Sequence, residues 1–174
     1  MSFLTLVFII ALKLTNIPIY TQNFGASLNT SYEDVDKLIQ DADIIVDVEI
    51  KKNEYFEYEN VPFTLSNAIV AEVHKGNIEN QETINILETG GVINNVEHTF
   101  ENEKVMKKKE NAVVFLRAYE GPIKPEEKKY VILGVYQGKF KIDSKTPEVL
   151  VTSPLNEGEL AKVKTKKDLK IGEQ

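Results

Sequence analysis

From Ala42 the chain reads ADIIVDVEIKK, with Ala42, Ile44, Val46, Val48 and Ile50 on one side and Asp43, Asp47, Glu49 and Lys51 mostly on the other. Side chains of an extended chain alternate between faces with period two, so this stretch is a half-buried strand and is not an amphipathic helix. Five further strand-like stretches follow. PFTLSNAIVAEVHKG places Phe63, Leu65, Ile69, Ala71 and Val73 on one side and stops at Lys75 and Gly76, and ETINILETGG ends at a turn at Gly90 and Gly91. AVVFL and YVILGVY are apolar throughout, with Pro122 and Pro125 punctuating the link between them, and Gly134 marks a bulge or sharp bend in the second. After Gly138, KFKID buries Phe140 and Ile142.

Helical spacing is confined to the ends. Thr30, Ser31, Tyr32 and Glu33 form a capping-box pattern ahead of Val35, Leu38, Ile39 and Ala42, which predicts a short helix over residues 31–41. Residues 151–174 form a Lys- and Glu-rich tail with Leu160 and Val163 at helical spacing, either a short packed helix or a frayed end. Residues 91–110 carry Lys104, Lys107, Lys108 and Lys109, lose the alternation, and read as an inserted loop. A parallel α/β sheet needs a helical crossover between strands, and the sequence offers none there. The expected fold is therefore all-β with short flanking helices: a five- to six-stranded OB-like β-barrel over residues 31–150, whose closure hides its edges.

The chain of 174 residues contains no cysteine, so disulfides, zinc-thiolate sites and Cys nucleophiles are excluded and packing must supply the stability. Its net charge of −6 does not draw it toward nucleic acid or an anionic bilayer. Residues Ser2 to Leu12 are uncharged and apolar, and Lys13 is the only charged side chain before Glu33. That run is shorter than the roughly 20 residues a membrane-spanning helix needs. It suits a secretory signal, with small residues at Gly25, Ala26 and Ser27 for cleavage, so residues 1–26 are expected to be a signal peptide or N-terminal hydrophobic segment. An uncleaved anchor and a buried N-terminal strand are the alternatives. The expected location is secreted or at the cell surface, without a stable membrane span unless the segment stays uncleaved.

A helix of S-x-E-D-x-x-x-L-I type leading into ADIIV, a second strand ending V-x-K-G at Val73 to Gly76, a T-I-N-I strand, a Val/Phe/Leu strand and YVILG follow one another over residues 31 to about 143. This order resembles the netrin-like, TIMP-type OB-fold domain and small exported bacterial proteins. The resemblance implies a five-stranded barrel that binds partners. Animal inhibitors of that family chelate a protease zinc through an N-terminal cysteine, which this chain lacks, so the inhibitory mechanism does not carry over.

Chemistry-bearing clusters are sparse. His74 and His98, with Glu72 and Glu97, match no metal-ligand spacing. Ser66 has no identifiable base partner and no nucleophile elbow surrounds it. Glu54, Glu57 and Glu59, and again Glu101, Glu103 and Glu110, read as solvated carboxylates rather than a catalytic pair. No enzymatic activity, metal or cofactor is expected. Tyr55, Phe56, Tyr58 and Phe63 form the one aromatic cluster, in the connection between the first two strands, where OB-type barrels recognise ligands. These four are the candidate partner-binding residues, and a long hairpin pairing the same rings across strands is the competing reading. The expected function is a non-enzymatic binding module whose partner is an extracellular protein or cell-envelope component, with contacts on residues 53–62 and 91–110. An inhibitor or regulator of an extracellular peptidase or other hydrolase is the alternative.

Overall fold

The computed structural model describes residues 17–25 and 31–171. The apolar run Ser2 to Leu12, most of the expected signal segment, and Ala26 and Ser27 lie outside the described residues. In chain order the elements are β1 (Tyr20–Phe24), α1 (Val35–Asp41), β2 (Ile44–Tyr58), β3 (Val61–Lys75), β4 (Thr83–Thr89), β5 (Gly91–Ile93), β6 (Val96–Phe100), β7 (Asn111–Ala118), β8 (Tyr130–Ile132), β9 (Lys139–Ile142) and β10 (Leu150–Val151). Two 3-10 turns, Leu160–Lys162 and Lys166–Leu169, follow. None of the described helices is long and apolar enough to cross a membrane.

Five strands close into a barrel in the cyclic order β2, β3, β4, β8, β7 and back to β2. Every contact is antiparallel except β4 with β8, where Ile86 faces Tyr130 and Leu87 faces Val131. This is the all-β, OB-like architecture expected from the alternation. Inside lie Ile44, Val46, Val48 and Ile50 of β2 with Ala68, Val70, Ile84, Ile86, Ala112, Val114, Leu116, Tyr130 and Ile132. Each large side chain moved out of water there stabilises by roughly 1.5–3 kcal/mol.

The inward face of β3 differs from the expected one. Ala68 and Val70 enter the core while Ile69 is only partly buried and Ala71 is exposed. From Phe63 to Ile69 β3 pairs with β4 without a break, so Ile69 shares the outward side of Phe63 and Leu65. The register shift between Asp47 and Val48 passes over Ala71, after which Val73 packs against the core.

Residues 91–110 are not an unstructured insertion. They hold the hairpin of β5 and β6, which with β1 forms a second sheet in the order β1, β6, β5. Its turn, Asn94 and Asn95, has φ of 51° and 64°, the left-handed pair that a two-residue hairpin requires. The expected strand YVILGVY is cut to three residues, because Gly134 (φ +59°) and Val135 (φ 63°) turn the chain toward β9. The helix starts at Val35 rather than residue 31. Asp34 caps it by accepting from the Lys37 N–H at 2.6 Å, whereas Tyr32 is held extended by Gln137, which accepts from the Tyr32 N–H (2.9 Å) and donates to its carbonyl (2.7 Å).

A second hydrophobic layer covers the outer face of β2, β7 and β9. Ile45, Val113, Phe115 and Phe140 point away from the barrel interior and are sealed by Tyr32, Val35 and Leu38 on one side and Leu150, Leu160, Val163 and Leu169 on the other. The described part of the C-terminal tail is thus packed into the fold.

Candidate functional site

The third hydrophobic cluster lies on another outer face of the barrel, and none of the described residues seals it completely. It arises from hairpin geometry. β2 and β3 are fifteen residues each and pair to their tips, Tyr58 opposite Val61, around Glu59 and Asn60 (φ 50° and 64°). β7 pairs with β2 only from Ile44 to Glu49, so the distal half of the hairpin extends past that strand. On its outer side Phe56 faces Phe63, with ring centroids 6.1 Å apart and planes at 26°. Leu65 faces Leu87 of β4, and Leu87 faces Val131 of β8.

Buried Leu65, Leu87 and Ile123 form the floor of this face, and half-buried Phe56, Tyr58, Phe63, Tyr119 and Val131 form its surface. Val61 at the tip is 41% exposed. The connection between β7 and β8 supplies Tyr119, Ile123 and Lys124. Lys129, almost fully buried, shapes this connection by donating to the carbonyls of Lys124 and Glu127 (2.7 Å for the latter) while its ammonium lies 5.5 Å from the Tyr119 ring centroid. The Lys124 ammonium sits 4.8 Å from the Phe56 centroid and pairs with Glu54, a hydrogen bond that holds the lysine pKa above its ordinary value. Past Tyr119 and Val131 the face runs into an open groove of about 500 Å³ flanked by Asp43, Arg117 and Glu120.

Three of the four sequence-expected residues, Phe56, Tyr58 and Phe63, therefore come together. They stand on paired strands, so the connection they were expected to form is a two-residue turn, and residues 53–58 are strand rather than loop. Tyr55 lies on the opposite side of the hairpin. A side chain at Gly91 would meet its ring at 2.7 Å, and burial, followed by the charges of Glu97 and Glu88, raises its phenol pKa. Tyr119, Ile123, Lys124 and Val131 had no place in the sequence-based site. The adjacent pair Ile86 and Leu87 was the available sign, because two neighbouring apolar residues on a strand mean that both faces are covered.

A polar cluster stands apart from this face. Asp47 accepts from His74 Nε2 at 2.8 Å and from Lys166, which also reaches Glu72 at 3.1 Å. Burial works to raise the Asp47 pKa, but the bonds from His74 and Lys166 prevail and hold it below the ordinary carboxylate value. Asp47, Glu72 and His74 place three potential ligand atoms within 4.8 Å of one another. The Lys166 ammonium already supplies the compensating charge, and the cluster fastens the C-terminal segment to the barrel. Glu97 and His98 belong to β6, so the four residues weighed together in the sequence are not one group. Ser66 accepts from Asn53 Nδ2 at 3.0 Å, and the same amide donates to the Met106 carbonyl at 2.8 Å.

No family model matches the chain, and no curated protein is similar to it.

Proposed function

We propose that this chain is a non-enzymatic binding module, secreted or held at the cell surface, that engages a protein partner through the face formed by Phe56, Tyr58, Phe63 and Tyr119. The observation that carries this reading is the contrast between two outer faces of one barrel. α1 and the C-terminal segment seal the face of β2, β7 and β9, whereas the face of β3, β4 and β8 keeps its aromatics half-buried over a fully buried aliphatic floor. A contiguous apolar surface with a charged rim, here Glu54 and Lys124, is the composition of a contact site. Its location on the hairpin tip, the second and third barrel strands and the connection before the last barrel strand is where OB-type barrels take ligands. The net charge of −6 opposes a polyanionic ligand and favours a protein.

The test replaces Tyr58 by a photo-crosslinking phenylalanine analogue in the full chain, expressed in its own host, with Lys162 replaced likewise as a control on the sealed side. The expected result is one dominant crosslinked protein from the envelope or medium fraction at position 58. It is absent at position 162 and is lost when Phe56→Ser and Phe63→Ser are added. Crosslinking that survives both serine changes, or that is equal at the two positions, overturns the proposal. Should the captured protein be a peptidase whose activity falls stoichiometrically with added chain, the module is an inhibitor.

A further inference from the structure

β1 is bound to the molecule chiefly through its main chain. It runs parallel to β6, with Tyr20 opposite Val96 through Phe24 opposite Phe100. The ladder is extended at both ends, by Ile19 N–H to the Asn95 carbonyl (2.7 Å), by Asn95 Nδ2 to the Ile17 carbonyl (2.7 Å) and by Glu101 N–H to the Phe24 carbonyl (2.8 Å). Only two of its side chains are specifically received. Asn23 Oδ1 accepts from Thr99 Oγ1 (3.1 Å) and from the Asn102 N–H (2.7 Å), and the Phe24 ring stacks on His98 at 5.5 Å and 22°. The others, Tyr20, Thr21 and Gln22, face solvent, as do Ile17 and Ile19 ahead of the strand (53 and 69% exposed), and no residue of β1 joins any of the three hydrophobic clusters.

Main-chain hydrogen bonds for affinity and a pair of side-chain sites for selectivity are the features by which a sheet edge binds an extended peptide. We propose that the edge of β6 is a strand acceptor for an extended peptide in which Asn is followed by an aromatic residue, and that residues 17–25 are its resident occupant. Asn23 serves as an acceptor for two donors, so Asp fits the same position and Ala does not. The aromatic that follows covers His98, whose buried Nδ1 has no hydrogen-bond partner. Because β1 contributes to none of the cores, its departure leaves the barrel intact. Cleavage near Ala26, which the sequence leads one to expect, severs this occupant from the barrel and leaves β6 to a partner strand. The surface is separate from the aromatic face proposed above, so the two readings stand or fall separately.

The experiment introduces a protease site within residues 26–30 of the full chain, folds the chain intact, cuts it, and adds a fluorescent peptide with the sequence of residues 17–25. Saturable anisotropy is expected, competed by unlabelled peptide. It should weaken at least about tenfold for peptides carrying Asn23→Ala or Phe24→Ala and persist for Asn23→Asp. Binding that is undetectable, or indifferent to both alanine changes, overturns the proposal. A cut chain that loses its circular dichroism also counts against it, since the barrel is then not independent of β1. As a second readout, Asn23→Ala with Phe24→Ala in the uncut chain is expected to speed amide exchange in residues 96–100 while β2 and β7 keep their protection. Unchanged exchange in β6 overturns the proposal.

Discussion

Gly91 sits at φ +126°, and a Cβ built on it would lie 2.2 Å from Thr64 Oγ1 and 2.7 Å from the Tyr55 ring. Both the backbone conformation and the space require glycine. Gly91→Ala is expected to lower stability by about 2–4 kcal/mol, measured by urea unfolding. Asp47 offers a different kind of constraint. Its pKa is depressed in the folded protein, so its stabilisation is fully present above the ordinary value of 3.8 and is lost as pH falls through the folded value. Stability is therefore expected to decline as pH falls below the ordinary carboxylate value of 3.8, and Asp47→Asn should flatten that part of the curve. At pH 7 the same substitution weakens the bonds to His74 and Lys166 and should cost about 1–3 kcal/mol. Lys166 is 37% exposed, so Lys166→Ala should cost less, about 0–1 kcal/mol.

Among the elements, the hairpins depend on their turns. Glu59 with Asn60, Asn94 with Asn95, and Glu101 with Asn102 each place two successive residues at positive φ, and Asn occupies the second position every time. Asn tolerates this conformation far better than branched residues do. Asn60→Val is expected to destabilise the long hairpin by about 1–3 kcal/mol, read as faster amide exchange in residues 53–66. The connection after β6 depends on a buried ion pair. Lys139 on β9 donates to Glu88 on β4 (3.3 Å) and to the Lys104 carbonyl (2.8 Å), and Glu88 accepts from the Met106 N–H at 2.8 Å. Lys139→Met leaves a carboxylate buried without its cation, so a loss of about 3–5 kcal/mol is expected in thermal or urea unfolding. These contacts hold the segment that leads back from the β5 and β6 hairpin to the barrel.

For the molecule as a whole, the same barrel wall presents apolar residues on both sides, and what covers each side differs. Ile45, Val113, Phe115 and Phe140 need the C-terminal segment, whose Leu160 and Leu169 are fully buried against them. Leu160→Ala and Leu169→Ala are each expected to cost about 2–5 kcal/mol. Removal of residues 154–174 should give a chain that binds a hydrophobic dye and lacks a cooperative unfolding transition. Among the described residues, the face of β3, β4 and β8 has only the connection between β7 and β8 over it. Phe56→Ser should therefore cost less than Leu160→Ala, about 1–2 kcal/mol, because its ring is only partly buried. That difference separates a surface for partners from a surface for the fold.

The alternation in ADIIVDVEIKK and in the later apolar strands was enough to establish an all-β barrel and to place Ile44, Val46, Val48 and Ile50 inside it, because period two is a local property of an extended chain. The aromatic stretch at Tyr55 to Phe63 was legible as a cluster for the same reason. Which rings share a side was not: Tyr55 parts from Phe56 and Tyr58 only once the hairpin pairs to its tip, and the side of β3 that carries Phe63, Leu65 and Ile69 turns away from the barrel interior only once its pairing with β2 and β4 is set. Residues 91–110 looked irregular because a three-residue strand carries too little pattern to read, and β1 bonds to a strand more than seventy residues away. Local sequence determined which stretches extend and what they bury. Register and long-range pairing decided which outer face is sealed and which stays half-open, since those depend on hydrogen bonds and packing between residues that the chain alone does not bring together.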